Sequence, residues 1–363
     1  MKLIYYCDFL ESYATNLAIA VAAESNEVAL ILRDIPVLRE RRADEALLEG
    51  RPANLGVDAQ ELAGGYSSIK SVVAVCKMYR QKRQAGYDVF HVQQTGDPRF
   101  LWLAMRMRTV LTLHEPCPRD GVTSGVGRWL ELAHKAAERV YRRLADLIVV
   151  HTESGLKSLS LREQRKAIVI PHGADFRSAL PVNDSKTILF FGRAAAYKGI
   201  DTLLAAMAEV WKTEPETRLR ILASPGDYPP DLELDDRIHA TWGGYTKHEL
   251  DEELLAARAV CMPYRSASGT GVGAQAYASG RPIVASNLDG LREFVAHEEL
   301  LVQPEDVLDL ARALKVVLGK DYGTQAIDHE RTWQGVAAAH IRAYRSLLSA
   351  TAGNRAPVGR RRW

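Results

Sequence analysis

The sequence predicts two doubly wound α/β domains, each built on a Rossmann-like parallel sheet. Three observations support that reading. Short apolar, β-branched runs alternate with helical stretches, as buried parallel strands alternate with their crossovers. The runs fall into two series, parted by the polar segment LPVNDSKT. At 363 residues the chain exceeds one ordinary domain.

The first series reads KLIYYC, VALIL, DVFHV, TVLTLH, LIVVHT and AIVIPHG, with helices including Ile69–Gln84 and Gly127–Leu144 between its members. The second reads TILFFGR, RLRILAS, IHATWG, AVCMPY and RPIVAS, and closes on ELLVQP. These series set domains at residues 1–175 and 176–325, a last helix within 326–350, and a disordered basic tail at 351–363. The opening residues lack the basic region and cleavage site of a signal peptide, so they read as a first strand and helix. No apolar run approaches the roughly 20 residues that span a bilayer.

Composition narrows the function. Cys7, Cys76, Cys117 and Cys261 lie far apart with no C-x-x-C, which reads as reduced thiols in a cytoplasmic protein. Net charge is +2, distributed as +4 over residues 1–170, −6 over 171–320 and +4 over 321–363. A nucleic-acid binder carries a far larger basic excess with interleaved aromatics, so that class is set aside. HEELL at His297 is not H-E-x-x-H, and no G-x-S-x-G or Walker loop occurs.

In open α/β sheets, ligands bind beyond the carboxyl ends of strands, where loops enter helices. TILFF leads into GRAAAYKG, where Gly192 permits a sharp exit and Arg193 and Lys198 flank the loop. Two cations near one helix start point to an anion, against the plainer reading of two solvated side chains. After AVCMPY comes RSASGTGVGAQAYASG, read as a loop over Ser268–Val272 entering a helix over Gly273–Ser279. Its small residues let backbone N–H groups approach a diphosphate, with the positive end of the helix behind them. After PIVAS, Gly290 opens a third approach.

Taken together, FFGRAAAYKGIDTLLAAM, VIPHGAD, AYASGRPIVASNLDGLREF and TLHE resemble the nucleotide-sugar glycosyltransferases of the GT-B fold, in particular the large retaining family four. The resemblance is specific over residues 145–320 and weaker over 1–110. It implies two Rossmann-like domains facing a cleft, with the last helix crossing back to the first domain. Arg193 and Lys198 would hold the donor diphosphate, with Gly192, Ser268, Thr270, Gly271, Val272, Gln275, Gly290 and Leu291 lining the donor site. His114 would meet the transferred sugar; a core histidine capping a strand end is the plainer alternative. In VIPHGAD, His172 replaces the family's asparagine.

The departures matter too. The family's E-x7-E glutamates fall on Ala267 and Gln275, and its N-terminal Gly-Gly loop is replaced by CDFLESYATNLA. Ser12, Tyr13 and Glu115 then become the candidates for the acceptor. The resemblance implies retaining transfer from a nucleoside diphosphate sugar, UDP- or GDP-linked, to a glycan, lipid-linked sugar or natural product of bacterial type. Arg193 and Lys198 can serve the leaving diphosphate without a metal or other cofactor, and no D-x-D suited to a metal is present. A catalytically silent sugar-nucleotide binder and a GT-B epimerase are the alternatives. Helix Ile69–Gln84 pairs Val72, Val73, Cys76 and Tyr79 with Lys70, Lys77, Arg80, Lys82 and Arg83. It suits peripheral contact with the inner face of a membrane, or a plain surface helix packed on its sheet.

Overall fold

The computed structural model describes residues 1–7, 11–33, 51–60, 69–116, 128–176, 185–226, 235–267, 270–323 and 328–350; Cys117, Ser268 and the tail from 351 lie outside them. The chain divides into two compact units, Met1–Gly173 with the chain from Trp333 onward, and Ala174–Thr332.

Unit 1 contains a seven-stranded parallel sheet of β1 (Lys2–Cys7), β2 (Glu27–Arg33), β3 (Leu55–Gln60), β4 (Val89–Gln93), β5 (Arg108–Leu113), β6 (Leu147–Val150) and β7 (Ala167–Val169), in the order β3-β2-β1-β4-β5-β6-β7. Leu3, Tyr5 and Cys7 of β1 enter one core, and Ile4 and Tyr6 enter the other. With both faces covered, the strand has no polar side and its sequence does not alternate. Strand β3, LGVDAQ, escapes the sequence reading. Among the described residues it is an edge strand paired with β2 alone, and Gly56 and Asp58 interrupt its apolar sequence.

Helices α1 (Glu11–Ala23), α2 (Ile69–Gln84), α3 (Leu101–Arg106), α4 (Arg128–Leu144), α5 (Glu153–Ser158) and α6 (Leu161–Gln164) connect these strands. The last helix, Trp333–Ser349, shares one core with α1, while α2, α3 and α4 supply the other. The sheet-facing residues of α2 are Val75 and Met78, one turn apart. That corrects the apolar face expected from Val72 and Val73, which are 41% and 60% exposed. Beneath the last helix, Tyr5 and Tyr344 hydroxyls meet at 2.6 Å, and His91 bridges Tyr344 to Thr112 at 2.7 Å on each side. This buried polar ladder fixes the helix over β1, β4 and β5.

Unit 2 contains a six-stranded parallel sheet of β8 (Thr187–Arg193), β9 (Arg218–Ser224), β10 (Ile238–Trp242), β11 (Ala259–Met262), β12 (Ile283–Ser286) and β13 (Leu301–Val302), in the order β10-β9-β8-β11-β12-β13. Its helices are α7 (Ile200–Val210), α8 (Lys247–Ala256), α9 (Gly271–Ala278), α10 (Asp289–Arg292) and α11 (Val307–Gly319); the last helix is α12. Helix α7 buries Ile200, Leu203, Met207 and Val210, a stripe at helical spacing that holds it on the sheet. A β-bridge between Ala174 and Thr332 joins the ends of this unit. In unit 1, the Trp333 indole lies where a Cβ on Gly173 would stand, which accounts for that glycine in VIPHGAD.

Candidate active site

In unit 2 the chain leaves β8 through Gly192, whose φ of 119° favours glycine. A Cβ there would collide with Lys198 Nζ and lie 3.1 Å from Val272 Cγ2. Three sequence-predicted residues, Gly192, Lys198 and Val272, therefore meet at one point beyond the central strand. Lys198 closes a short 3-10 turn, is 4% exposed, and places Nζ 5.0 Å from the Tyr264 ring centroid. Arg193 is exposed at the strand end.

Arg265, unmarked in the sequence reading, ties this loop to the next one. Its guanidinium donates to Ala196 O at 2.7 Å, pairs with Asp201 and reaches Glu305 at 2.8 Å. Its own N–H donates to Tyr197 O at 2.7 Å. One residue thereby sets the lysine loop against the stretch that leads to α9.

The helix after that stretch begins at Gly271, two residues earlier than expected. Thr270 is the reason: its hydroxyl caps the helix, accepting from Val272 N at 3.2 Å and Gly273 N at 3.4 Å. Gly271 and Val272 are therefore helical, and the N–H groups of Val272 and Gly273 already have a partner. Gly273 is small because Phe294 packs against it: a Cβ would lie 2.5 Å from that ring. Gln275 is exposed on α9, whereas Gly290 and Leu291 are buried in α10, with Leu291 N donating to Leu288 O. Ser268 lies outside the described residues.

The carboxyl edge of the unit 1 sheet is built differently. His114, half-buried beyond β5, has both ring nitrogens engaged: Nε2 with Gln93 Oε1 at 2.9 Å and Nδ1 with His151 Nε2 at 3.0 Å. His151 Nδ1 in turn meets Ile170 O at 3.0 Å. Burial first, then the neighbouring His151 and His172, holds the His114 pKa well below the usual histidine value. Burial also pushes His151 down to about 3. Both shifts favour the neutral form of the ring.

Gln94 grips the next residue, accepting from Glu115 N at 2.8 Å and donating to Glu115 O at 3.1 Å. The adjacent pair Gln93 and Gln94 thus positions the adjacent pair His114 and Glu115. Tyr13 is buried, with its ring edge-on to His114 at 4.7 Å and to His172 at 4.8 Å. It backs the histidine rings, where the sequence expectation puts it at an acceptor. The side chain of Ser12 lies outside the described residues. At this edge, Gln93, Gln94 and His151 are the residues that sequence reasoning missed; their one signal is position, at the carboxyl ends of β4 and β6. No group of three or more His, Cys, Asp or Glu among the described residues is placed to hold a metal ion.

Two family models match the chain: Glycosyltransferase Family 4 over residues 10–177 and Glycosyl transferases group 1 over residues 185–320. The chain is 25% identical over 359 residues to an MMP alpha-(1->4)-mannosyltransferase of Mycolicibacterium hassiacum, covering 88% of this chain and 87% of that one. It is 29% identical to a D-inositol 3-phosphate glycosyltransferase of Corynebacterium efficiens, over 70% of this chain and 69% of the relative. Among solved structures, a sucrose-phosphate synthase of Thermosynechococcus elongatus superimposes with a TM-score of 0.68 at 19% identity, covering 96% of this chain and 100% of that one. The Anabaena protein HepE, in complex with UDP and glucose, superimposes at 0.66 with 17% identity, over 98% and 100% of the two chains.

Proposed function

The chain belongs to the group 1, family-four glycosyltransferases with the GT-B fold, and on that footing we propose that it moves a sugar, with retention, from a UDP- or GDP-linked donor to a sugar-containing acceptor. One observation supports the donor half most directly. The Lys198 ammonium folds against Gly192 at the end of the central strand, beside Val272 at the head of α9.

Breaking the sugar–phosphate bond leaves negative charge on the diphosphate and positive charge on the anomeric carbon. Lys198 and Arg193 stabilise the first, as preorganised cations in a partly dry site do. The acceptor hydroxyl attacks the same face of the sugar that the phosphate leaves, and the departing phosphate oxygen takes its proton. His114 serves the sugar, held by the hydrogen bonds described above. The acceptor is a glycan, a lipid-linked sugar or a natural product.

The test is a thermal-shift panel of UDP, GDP, ADP and dTDP sugars, followed by nucleoside diphosphate release with excess chelator present. One donor class should raise the melting temperature, and release should continue without free divalent ions. Loss of turnover on chelation would reject the metal-free site. Exposed Gln275 and half-buried Ala267, standing where the family has glutamates, favour a second reading as a silent binder. Tight donor binding without release would establish it.

Helix α2 supplies the membrane part of the proposal. No helix among the described residues is long and apolar enough to cross a bilayer. Exposed Val72 and Val73 share α2 with exposed Lys77, Arg80 and Arg83, which suits anionic headgroups at the inner face of a membrane. Sedimentation with anionic vesicles should capture the protein, and Val73→Glu should release it.

A further inference from the structure

The hydrogen-bond chain at the unit 1 sheet edge allows its protons to be counted. Ile170 O only accepts, so His151 Nδ1, 3.0 Å away, carries a proton. A neutral His151 then has a bare Nε2, which accepts from His114 Nδ1. A neutral His114 in turn has a bare Nε2 facing the Gln93 carboxamide, which therefore has to present N–H. With the carboxamide oxygen there instead, the two rings share one proton too many, and one becomes a cation. That orientation also leaves Gln93 Nε2 buried without a partner, which is costly in itself. Turning the carboxamide by half a revolution removes the surplus proton and gives Nε2 its acceptor, leaving the oxygen in the position where no partner is present.

We propose that Gln93 and His151 are positioning residues that hold His114 as a neutral imidazole with its proton on Nδ1. The second nitrogen of a histidine commonly sets the state of the first in this way. The surroundings agree. His114 faces Tyr13 of α1 at 4.7 Å and His172 beyond β7 at 6.3 Å, ring to ring. His91 of β4 and His340 of α12 also oppose its protonation. A cation here would be buried among imidazoles that compete for the same proton.

The functional consequence rests on the glycosyl-transfer reading. Positive charge develops on the anomeric carbon as the diphosphate leaves, so a cationic histidine serving the sugar would oppose the reaction. A neutral ring of fixed orientation does not.

The experiment is 15N NMR of the full chain with labelled histidine, the His114 signals being assigned by their loss in His114→Asn. The expected spectrum has His114 protonated on Nδ1, bare on Nε2 and untitrated from pH 8 down to 5. An Nε2–H tautomer, or a His114 midpoint at pH 6 or above, overturns the proposal. His151→Phe removes the acceptor for the Nδ1 proton. His114 should then lose its single-tautomer signature, and kcat should fall by about tenfold, the worth of one orienting hydrogen bond, with donor KM unchanged. His151→Gln offers a carboxamide oxygen to that proton and should retain the tautomer and most of kcat. An equal fall of kcat in both variants, with the tautomer unmoved, would reduce His151 to a packing residue and overturn its role. The spectrum is read whether or not the wild-type protein turns over a donor, so a failed transfer assay and a failed proton assignment are told apart.

Discussion

The carboxyl edges of the two sheets have the same topology and different electrostatics. In unit 2 the edge offers Lys198, exposed Arg193 and the head of α9, all positive or partly positive. In unit 1 the same edge is filled by His114, His151, Gln93 and Tyr13, all neutral, with the two histidines and Gln93 hydrogen-bonded in series. The first arrangement suits a departing diphosphate. The second suits a carbon on which positive charge develops, and the burial that keeps its histidines neutral also makes that unit sensitive to acid.

That sensitivity gives the largest expected effect. His91, His151 and His340 are buried in unit 1, whereas unit 2 has no buried histidine among its described residues. Burial lowers their folded-state pKa values, to about 3 for His151 and about 4 for His340. Below the unfolded value of about 6.5, the unfolded chain takes up protons that the folded chain refuses, so stability falls as pH falls. Each such group contributes about 1.4 kcal/mol per pH unit until its folded pKa is reached. Hydrogen exchange between pH 7 and 5 should therefore show β1, β4 and β5 losing protection before β8 and β9. Equal loss in both units would erase the contrast.

Next come the cations. Lys198→Ala or Arg193→Ala should remove about 2–4 kcal/mol of transition-state stabilisation, read as kcat/KM with a donor found in the panel. Unchanged kcat/KM in both variants would detach the diphosphate from this edge. A smaller effect is expected for Gly192→Ala. The new methyl group meets Lys198 and fixes an alanine in a backbone region it rarely adopts, costing about 1–3 kcal/mol of stability and raising donor KM. A melting temperature and KM equal to wild type would show that the lysine does not depend on that glycine. The smallest effect is expected for Arg265→Met. It loosens the tie between the lysine loop and the stretch before α9, and donor KM should rise a few-fold, about 1 kcal/mol, with kcat nearly constant. A fall in kcat alone would place Arg265 in the chemistry instead.

The sequence exposes most of this fold because strands buried on both faces are continuous apolar runs. It hides β3, an edge strand whose apolar run Gly56 breaks. Helix α2 has the predicted bounds but a different buried face, since Val72, Val73, Val75 and Met78 are chemically interchangeable until a sheet selects among them. In the site, Gly192 and Lys198 are legible because the loop chemistry beyond a strand end is local. Gly273 is legible as small but not for its reason, since Phe294 is distant in sequence. Gln93, Gln94 and His151 are illegible for the same cause. A polar residue closing an apolar run looks alike whether it meets solvent or a partner about 20 to 40 residues away.

The central claim is that the unit 2 edge is an anion site served by Lys198. Calorimetry on wild type and Lys198→Met, with a nucleoside diphosphate and its parent nucleoside, tests it most directly, because the gap between the two ligands isolates the phosphate contribution. The account predicts a wild-type preference for the diphosphate of about tenfold to hundredfold, as charge-assisted hydrogen bonds supply, and its near disappearance in Lys198→Met while the nucleoside binds as before. An undiminished preference in the variant would contradict the account.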